Sequence, residues 1–217
     1  MTTSGASAPA SPPIRASEAL QKKLAKIGLH SEADLLVHLP LRYEDETRIT
    51  PVNRSFGNEP VQVEVVVQSS EIQFRPRRQM IVRAADESGE ITLRFFSFYP
   101  NQQAALSEGS RIRAFGEVRG GFFGAEMVHP RFRKVGDDEP LPLELTPIYP
   151  STAGLANSAL QKLIGKALAV GDMSETLPEE LRQRLKLPGL ARSLRFLHTP
   201  PPGTDLDTLH ARNHPAW

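Results

Sequence analysis

The sequence predicts an α+β protein in which five short β-strands form a small barrel between helical segments. From Val61 to about Phe132, apolar and polar residues alternate in five runs, which is the pattern of half-buried strands. Before and after this region, apolar residues recur at helical spacing instead. At 217 residues the chain is long enough to bury a substantial core.

Composition excludes several kinds of site. The chain has no cysteine, which excludes disulfides and thiolate metal sites and fits a reducing cytoplasm. Its six histidines do not pair at metal-ligand spacing backed by carboxylates, apart from a loose pair, His210 and His214, in a tail-like segment. No apolar run approaches the roughly 20 residues that span a bilayer, and Met1–Pro13 has no apolar signal core. We therefore expect a cytoplasmic protein without membrane contact and without a bound metal.

Two short helices are predicted in an N-terminal helical segment, residues 16–55, which follows a disordered tail, residues 1–15. The first helix ends at Gly28, and Ser31 caps the second, which Pro40 stops. Such a pair is similar to a helix-hairpin-helix unit that holds a DNA backbone, and it also occurs as a plain packing unit. The residues leave both interpretations open.

Three strands, one short helix and two further strands follow one another in residues 56–136. This is the order of the OB-fold, a small β-barrel that often binds oligonucleotides on one face. The predicted elements are strands at Val61–Gln68, Met80–Ala85, Ile91–Phe98, Arg111–Val118 and Phe122–Phe132, with a helix at Asn101–Ser107.

Residues 137–200 are predicted to form a helical linker or scaffold. They open with an acidic connection broken by proline, and leucine spacing then predicts helices within Ser158–Val170, Leu177–Leu187 and Gly189–Leu197. Residues 201–217 are proline-rich and then polar, and we expect them to begin a connection to a further domain.

The third predicted strand carries large rings on both of its faces. Alternation puts Phe95 on the core face, whereas Phe96 and Phe98 share the outer face with Arg94. A half-buried strand is normally polar on its outer face, so these two rings are predicted to contact a partner. The neighbouring arginine suggests a partner that carries phosphate.

Arginine and phenylalanine are concentrated in the barrel. Residues 61–135 hold eleven Lys or Arg against eight Asp or Glu, a net charge of +3, and eight of the ten phenylalanines. Interleaved arginines and aromatic rings are typical of a nucleic-acid surface. The alternative for residues 75–78 is a merely solvated turn. The predicted phosphate contacts are Arg75, Arg77, Arg78, Arg94, Arg113 and Arg119.

Motifs of nucleotide hydrolysis and acyl transfer are missing from the sequence. Gly165-Lys166-Ala167 lacks both the earlier glycine and the hydroxyl residue of a phosphate-binding loop. There is no nucleophile elbow and no zinc-protease motif. We therefore expect no catalytic residue and no cofactor-binding residue in this chain, and predict a binding function.

Several motifs, in this order and spacing, resemble the N-terminal part of the RecG family of ATP-dependent DNA helicases. The similarity extends from about Leu20 to Trp217. The segments that carry it are LVHLPLRYED at 36–45, LRFFSF at 93–98, GAEMVHPRF at 124–132, LTPIYP at 145–150, LHTPPP at 197–202 and NHPAW at 213–217.

The resemblance implies an OB-fold wedge that divides the arms of branched DNA, such as replication forks and Holliday junctions, in repair and recombination. It implies helicase motor domains C-terminal to Trp217, with ATP and Mg bound only by the full-length protein. It also implies a monomer in the cytoplasm, associated with the nucleoid. The family's base-stacking role falls on Phe96, with Phe95, Phe98 and Tyr99 as neighbours. The family's Gly-Val-Gly turn before the first helix is replaced by Ile14–Ser17.

Two other functions are compatible with the same residues. The barrel could be a docking module whose outer rings bind a protein, in which case binding would be insensitive to salt. It could also be a generic single-stranded nucleic-acid binder, which would bind a linear strand as well as a fork.

Overall fold

The computed structural model describes residues 11–57, 59–75, 77–121 and 124–217. It divides into two compact units. The barrel unit is Glu44–Leu145, and the helical unit combines the chain up to Tyr43 with Thr146–Trp217. The elements are α1 (Glu18–Ala25), α2 (Glu32–Val37), β1 (Arg42–Glu44), a 3₁₀ turn (Val52–Arg54), β2 (Val61–Gln73), β3 (Gln79–Asp86), β4 (Gly89–Phe95), α3 (Pro100–Ala105), β5 (Arg111–Gly116), β6 (Arg119–Gly121), β7 (Gly124–Val128), β8 (Arg131–Lys134), β9 (Thr146–Ile148), α4 (Asn157–Val170), α5 (Glu179–Arg184), α6 (Leu190–His198) and α7 (Leu206–His210).

The barrel unit is built on an antiparallel meander of β2, β3 and β4. β5 then pairs with the free edge of β2, and β7 pairs in parallel with the free edge of β4. β5 is followed directly by β6, and β7 is followed directly by β8. The β5–β6 segment and the β7–β8 segment pair with each other, β6 with β7 and β5 with β8. The hydrogen-bonded order is β6–β7–β4–β3–β2–β5–β8, and its end strands β6 and β8 continue along the chain from β5 and β7, so the sheet curls into a barrel.

Alternation along the strands builds the core of the barrel unit. Val63 and Val65 of β2 are buried, and so are Leu93 of β4 and Ile112 of β5, as the period-2 pattern predicts. β2 changes register between Val67 and Ser69, a bulge that bends a long strand in a curved sheet. The predicted first four strands and the short helix after the third are confirmed as elements, with shifted ends.

The third predicted strand is shorter than expected. β4 ends at Phe95 instead of Phe98, so alternation does not place Phe96 or Phe98. Phe98 turns back into the barrel core and is only 9% exposed, so its prediction as an outer-face ring is wrong. The predicted fifth strand is divided into β7 and β8, and its first two residues, 122 and 123, lie outside the described residues.

The helical unit has a separate apolar core formed by the early and late helices. Leu24 of α1, Leu35 of α2 and Leu160 of α4 are buried in it. The helices predicted at both ends of the chain are confirmed, whereas α7 was not predicted. The predicted Ser31 cap is present as part of a capping box, because Ser31 Oγ accepts from the Asp34 N–H at 3.3 Å and Asp34 accepts from the Ser31 N–H at 2.8 Å.

Candidate nucleic-acid interface

One end of the barrel brings together the β2–β3 connection, the segment after β4, and His129 between β7 and β8. Met80 is paired with Phe95, which places the β2–β3 connection beside the residues that follow Phe95. The His129 N–H donates to the Arg94 carbonyl at 2.8 Å, and His129 Nε2 accepts from the Phe96 N–H at 3.2 Å. We call this region the barrel end; it consists of residues 74–75, 77–78, 96–99 and 129.

Phe96 is half-buried at the barrel end, between a cation and a second ring. The Arg77 guanidinium carbon lies 3.6 Å from the centroid of the Phe96 ring, a close cation–π contact. The His129 ring centroid is 5.5 Å from that of Phe96 on a tilted plane. His129 has φ +50°, a left-handed conformation that non-glycine residues seldom adopt, so the backbone is strained where the ring is positioned.

The other predicted rings differ in accessibility. Phe95 is 2% exposed and packs edge-on against Phe132, so it is a core residue and its prediction as a stacking neighbour is wrong. Phe98 is likewise buried, with the Arg78 guanidinium carbon 4.2 Å from its ring centroid. Tyr99 is 74% exposed and so is accessible to a partner. Phe74, which was not predicted, is 71% exposed; its only sequence signal was a ring at the end of β2 beside three arginines.

Arg94 forms a clip between strands and is not a free cation. Its Nε and Nη2 donate to the Glu126 carboxylate at 3.0 and 2.7 Å, and its Nη1 donates to Gln79 Oε1 at 2.9 Å. The hydrogen bond to Glu126 raises the pKa of Arg94. Both charged side chains are largely withdrawn from solvent, so Arg94 is unavailable to a phosphate in this arrangement, contrary to the prediction.

Arg113 and Arg119 are also paired with carboxylates. The Arg113 side chain is 6% exposed, its Nε donates to Glu64 at 2.7 Å, and its terminal nitrogens donate to the carbonyls of Glu139 and Pro140. The expectation that Arg113 points outward to phosphate is therefore wrong, because the connection after β8 covers it. Arg119 is exposed but contacts Glu117 at 2.5 Å.

The three arginines of the β2–β3 connection are different. Arg75, Arg77 and Arg78 are exposed, and none of them forms an ion pair with the described residues. Two of them lie over aromatic rings, which holds their guanidinium groups at the surface. The barrel end thus combines uncompensated positive charge with the half-buried ring of Phe96 and the exposed ring of Tyr99.

Two absences can be stated for the described part of the chain. It holds no group of three His, Asp or Glu side chains placed to bind a metal ion. None of its helices is long and apolar enough to cross a membrane. What the barrel end can do is stack on flat groups and attract anions.

Cations and exposed rings at one end of a β-barrel are the surface chemistry that nucleic-acid-binding β-proteins use. The family model of the RecG wedge domain matches residues 15–170. The chain belongs to the RecG wedge domain family.

Individual relatives agree with the family match. The chain is 42% identical over 203 residues to the ATP-dependent DNA helicase RecG of Pasteurella multocida, and 43% identical over 203 residues to that of Escherichia coli K12. Each alignment covers 91% of this chain but 29% of the relative, so the chain spans under a third of their length. The solved structure of RecG bound to a three-way DNA junction matches 98% of this chain and 30% of its own, with a TM-score of 0.69 and 22% identity, which supports the fold.

Proposed function

We propose that this chain is the branched-DNA-binding wedge region of an ATP-dependent DNA helicase that acts in repair and recombination. The observation that carries the proposal is Phe96, a ring held at the barrel end of a RecG wedge family member by Arg77 and His129. A ring fixed beside uncompensated arginines suits the opened bases at a DNA branch, because base stacking and phosphate attraction then act together.

We also propose that the barrel is a five-stranded OB-fold. If the β5–β6 segment and the β7–β8 segment each count as one strand, the barrel has five strands. The meander of the first three, the short helix after the third, and the parallel pairing of the third with the fifth support this assignment.

Within this proposal the rings and the arginines have different roles. Phe96 is the base-stacking residue, and the exposed Tyr99 and Phe74 extend the aromatic surface around it. Arg75, Arg77 and Arg78 contact phosphates, whereas Arg94 and Arg113 hold the barrel together.

Properties of the whole protein follow as further proposals. The relatives are named ATP-dependent helicases and are more than three times as long as the aligned part. We propose that motor domains follow Trp217, that they bind ATP with Mg, and that the protein works as a cytoplasmic monomer at the nucleoid.

The test compares Phe96→Ala with Phe56→Ala. Both variants remove one phenylalanine from the barrel unit, and Phe56 is exposed but lies outside the barrel end. Base stacking on an aromatic side chain is worth ~1–3 kcal/mol, so Phe96→Ala is expected to weaken fork binding by roughly tenfold or more while Phe56→Ala leaves it unchanged. Anisotropy titrations of fork, duplex and single-stranded DNA at two salt concentrations give the affinities, and circular dichroism checks that each variant is folded.

The same titrations separate the alternatives. Fork binding that is equal in the two variants contradicts the role of Phe96. Equal affinity of the unmutated chain for linear single strands and for forks makes it a generic binder. Absence of DNA binding at low salt would favour the docking module.

A further inference from the structure

A second basic surface lies in the helical unit, far along the sequence from the barrel. Residues 182–196 contain five Lys or Arg and no Asp or Glu. Four of the five are exposed and form no ion pair with the described residues. The five residues are Arg182, Arg184, Lys186, Arg192 and Arg195.

Three of these cations border a groove of about 630 Å³ between the α5–α6 segment and residues 214–216. Arg182, Lys186 and Arg192 line one part of it, and Phe196 with His214 lines another. Arg182 is neutralised by Glu179, whose carboxylate it contacts at 2.5 Å, so Lys186 and Arg192 provide the free positive charge. We call this surface the basic groove.

The acidic residues near the basic groove are already engaged. Glu175 accepts hydrogen bonds from the backbone N–H groups of Leu177 and Leu190, at 3.1 and 2.9 Å. Glu179 is occupied by Arg182 and by Gln183. Neither carboxylate forms an ion pair with Lys186 or Arg192 in the described part of the chain. Residues 175–196 hold five Lys or Arg against three Asp or Glu, so this stretch presents a net positive field to an anion.

The rings of the basic groove are closed against each other. Phe196 and His214 are stacked with their centroids 4.0 Å apart and their planes 12° from parallel. Each ring covers one face of the other, so no free sandwich position for a base is formed there. The groove therefore suits a regular sugar–phosphate backbone better than splayed bases, which favours duplex over single-stranded nucleic acid.

Lys186 occupies a backbone position that normally belongs to glycine. α5 ends in a Schellman motif, in which the Leu187 N–H donates to the Arg182 carbonyl and the Lys186 N–H donates to the Gln183 carbonyl, both at 3.0 Å. The central residue of this motif has φ +53°, where a β-carbon is strained. α1 ends in the same way with Gly28, at φ +78°. A lysine is thus kept at a position where glycine would fit the backbone better.

We infer that the basic groove is a second DNA site, which binds the phosphate backbone of duplex DNA through Lys186 and Arg192 without reading its sequence. The inference rests on the proposed function, because it takes DNA as the anion. It adds a contact made by the helical unit, independent of the branch point and of Phe96.

The test uses two double variants of the whole chain that remove the same charge. Lys186→Gln with Arg192→Gln neutralises the basic groove, and Lys162→Gln with Lys166→Gln neutralises two exposed lysines of α4 in the same unit. With a linear duplex as the probe, the groove variant is expected to bind roughly tenfold more weakly at low salt and to lower the salt slope by about two, one for each lost phosphate contact. The α4 variant is expected to bind like the unmutated chain.

Lys186→Gly separates binding from folding. Glycine relieves the left-handed strain while removing one charge, so the melting temperature is expected to hold or rise while duplex affinity falls.

Two outcomes would overturn the inference. If the groove variant and the α4 variant lose the same duplex affinity, the loss is explained by net charge alone. An unchanged duplex affinity in the groove variant also overturns the inference. If the groove variant still prefers forks to linear duplex, the proposed function is unaffected. If forks bind no better than duplex, the proposed function fails. The comparison of the groove and α4 variants on linear duplex still tests the second site in that case.

Discussion

The barrel end and the basic groove both combine positive charge with aromatic rings, but they differ in whether a ring is exposed to a partner. At the barrel end, the cation Arg77 lies on one face of the half-buried Phe96, and the exposed ring of Tyr99 is a flat surface available to a base. In the basic groove, Phe196 and His214 are stacked on each other, and the exposed Lys186 and Arg192 line the groove. The difference indicates that the first region suits opened strands and the second suits an intact backbone.

Both regions contain a residue held in the left-handed conformation without being glycine. His129 has φ +50° at the barrel end, and Lys186 has φ +53° in the basic groove. Such residues cost about 1–2 kcal/mol each and are found where a side chain is needed at a tight turn. In the barrel the strained residue positions a ring, and in the groove it positions a charge.

Arg94→Ala tests whether arginines on the barrel strands are structural, in contrast to those of the β2–β3 connection. The substitution leaves the largely buried Glu126 carboxylate without its partner, so we expect the free energy of unfolding to fall by about 3 kcal/mol. Urea denaturation measures this loss. Adding Glu126→Leu is expected to recover much of it, since the uncompensated charge is then gone. A stable Arg94→Ala variant that binds DNA weakly would show that Arg94 contacts DNA.

Neutralising the β2–β3 connection is the matching test of the barrel end. We expect Arg75→Gln, Arg77→Gln and Arg78→Gln together to lower the salt slope of fork binding by about three and to weaken it by roughly a hundredfold at low salt. Stability is expected to change little, because these side chains are exposed and form no ion pair with the described residues. Arg83→Gln, Arg119→Gln and Arg133→Gln together form a control of equal charge on the same unit. A control that weakens binding as much would show that the whole barrel, and not one end, attracts DNA.

The strands of the barrel and the helix α3 could be predicted from the sequence, but the end of β4 could not. Alternation continued through Phe98 in the sequence, whereas the strand stops at Phe95 because the Phe96 N–H donates to His129, a residue 33 positions later. The partner of Arg94 could not be predicted either, since Glu126 faces it only through the parallel pairing of β4 and β7. Short-range alternation encodes burial within a strand, while strand ends and ion pairs depend on register.

The basic groove could not be predicted from the sequence for a related reason. Leucine spacing predicts the late helices as scaffold, and five cations without an acid between residues 182 and 196 do not by themselves predict a groove. α7 was missed because it has five residues, too few to show periodicity; its one signal was Asp205, whose carboxylate accepts from the Thr208 N–H at 2.9 Å.

Acid pH offers a smaller effect that acts on the helical unit. His198 is buried, its Nδ1 lies 2.9 Å from the Tyr149 hydroxyl, and its Nε2 lies 2.9 Å from the Leu36 carbonyl. Burial, with a smaller contribution from the charge of His38, lowers the pKa of His198 despite the hydrogen bond to Leu36. The folded state therefore binds this proton less readily than the unfolded state does.

The sign of the effect follows from this difference. Stability is full above the ordinary histidine pKa of about 6.5 and declines as pH falls below it, by at most about 1.4 kcal/mol per pH unit for one proton. Trp217, the only tryptophan of the sequence, lies in the helical unit, so its fluorescence during urea unfolding reports on that unit. His198→Gln, whose amide can still donate to the Leu36 carbonyl, is expected to flatten the pH dependence, whereas the exposed His30→Gln leaves it unchanged. Equal pH dependence in the two histidine variants would exclude His198 as the cause. If mild acid removes the contribution of the basic groove to duplex binding while Phe96→Ala still weakens fork binding, the two regions act independently.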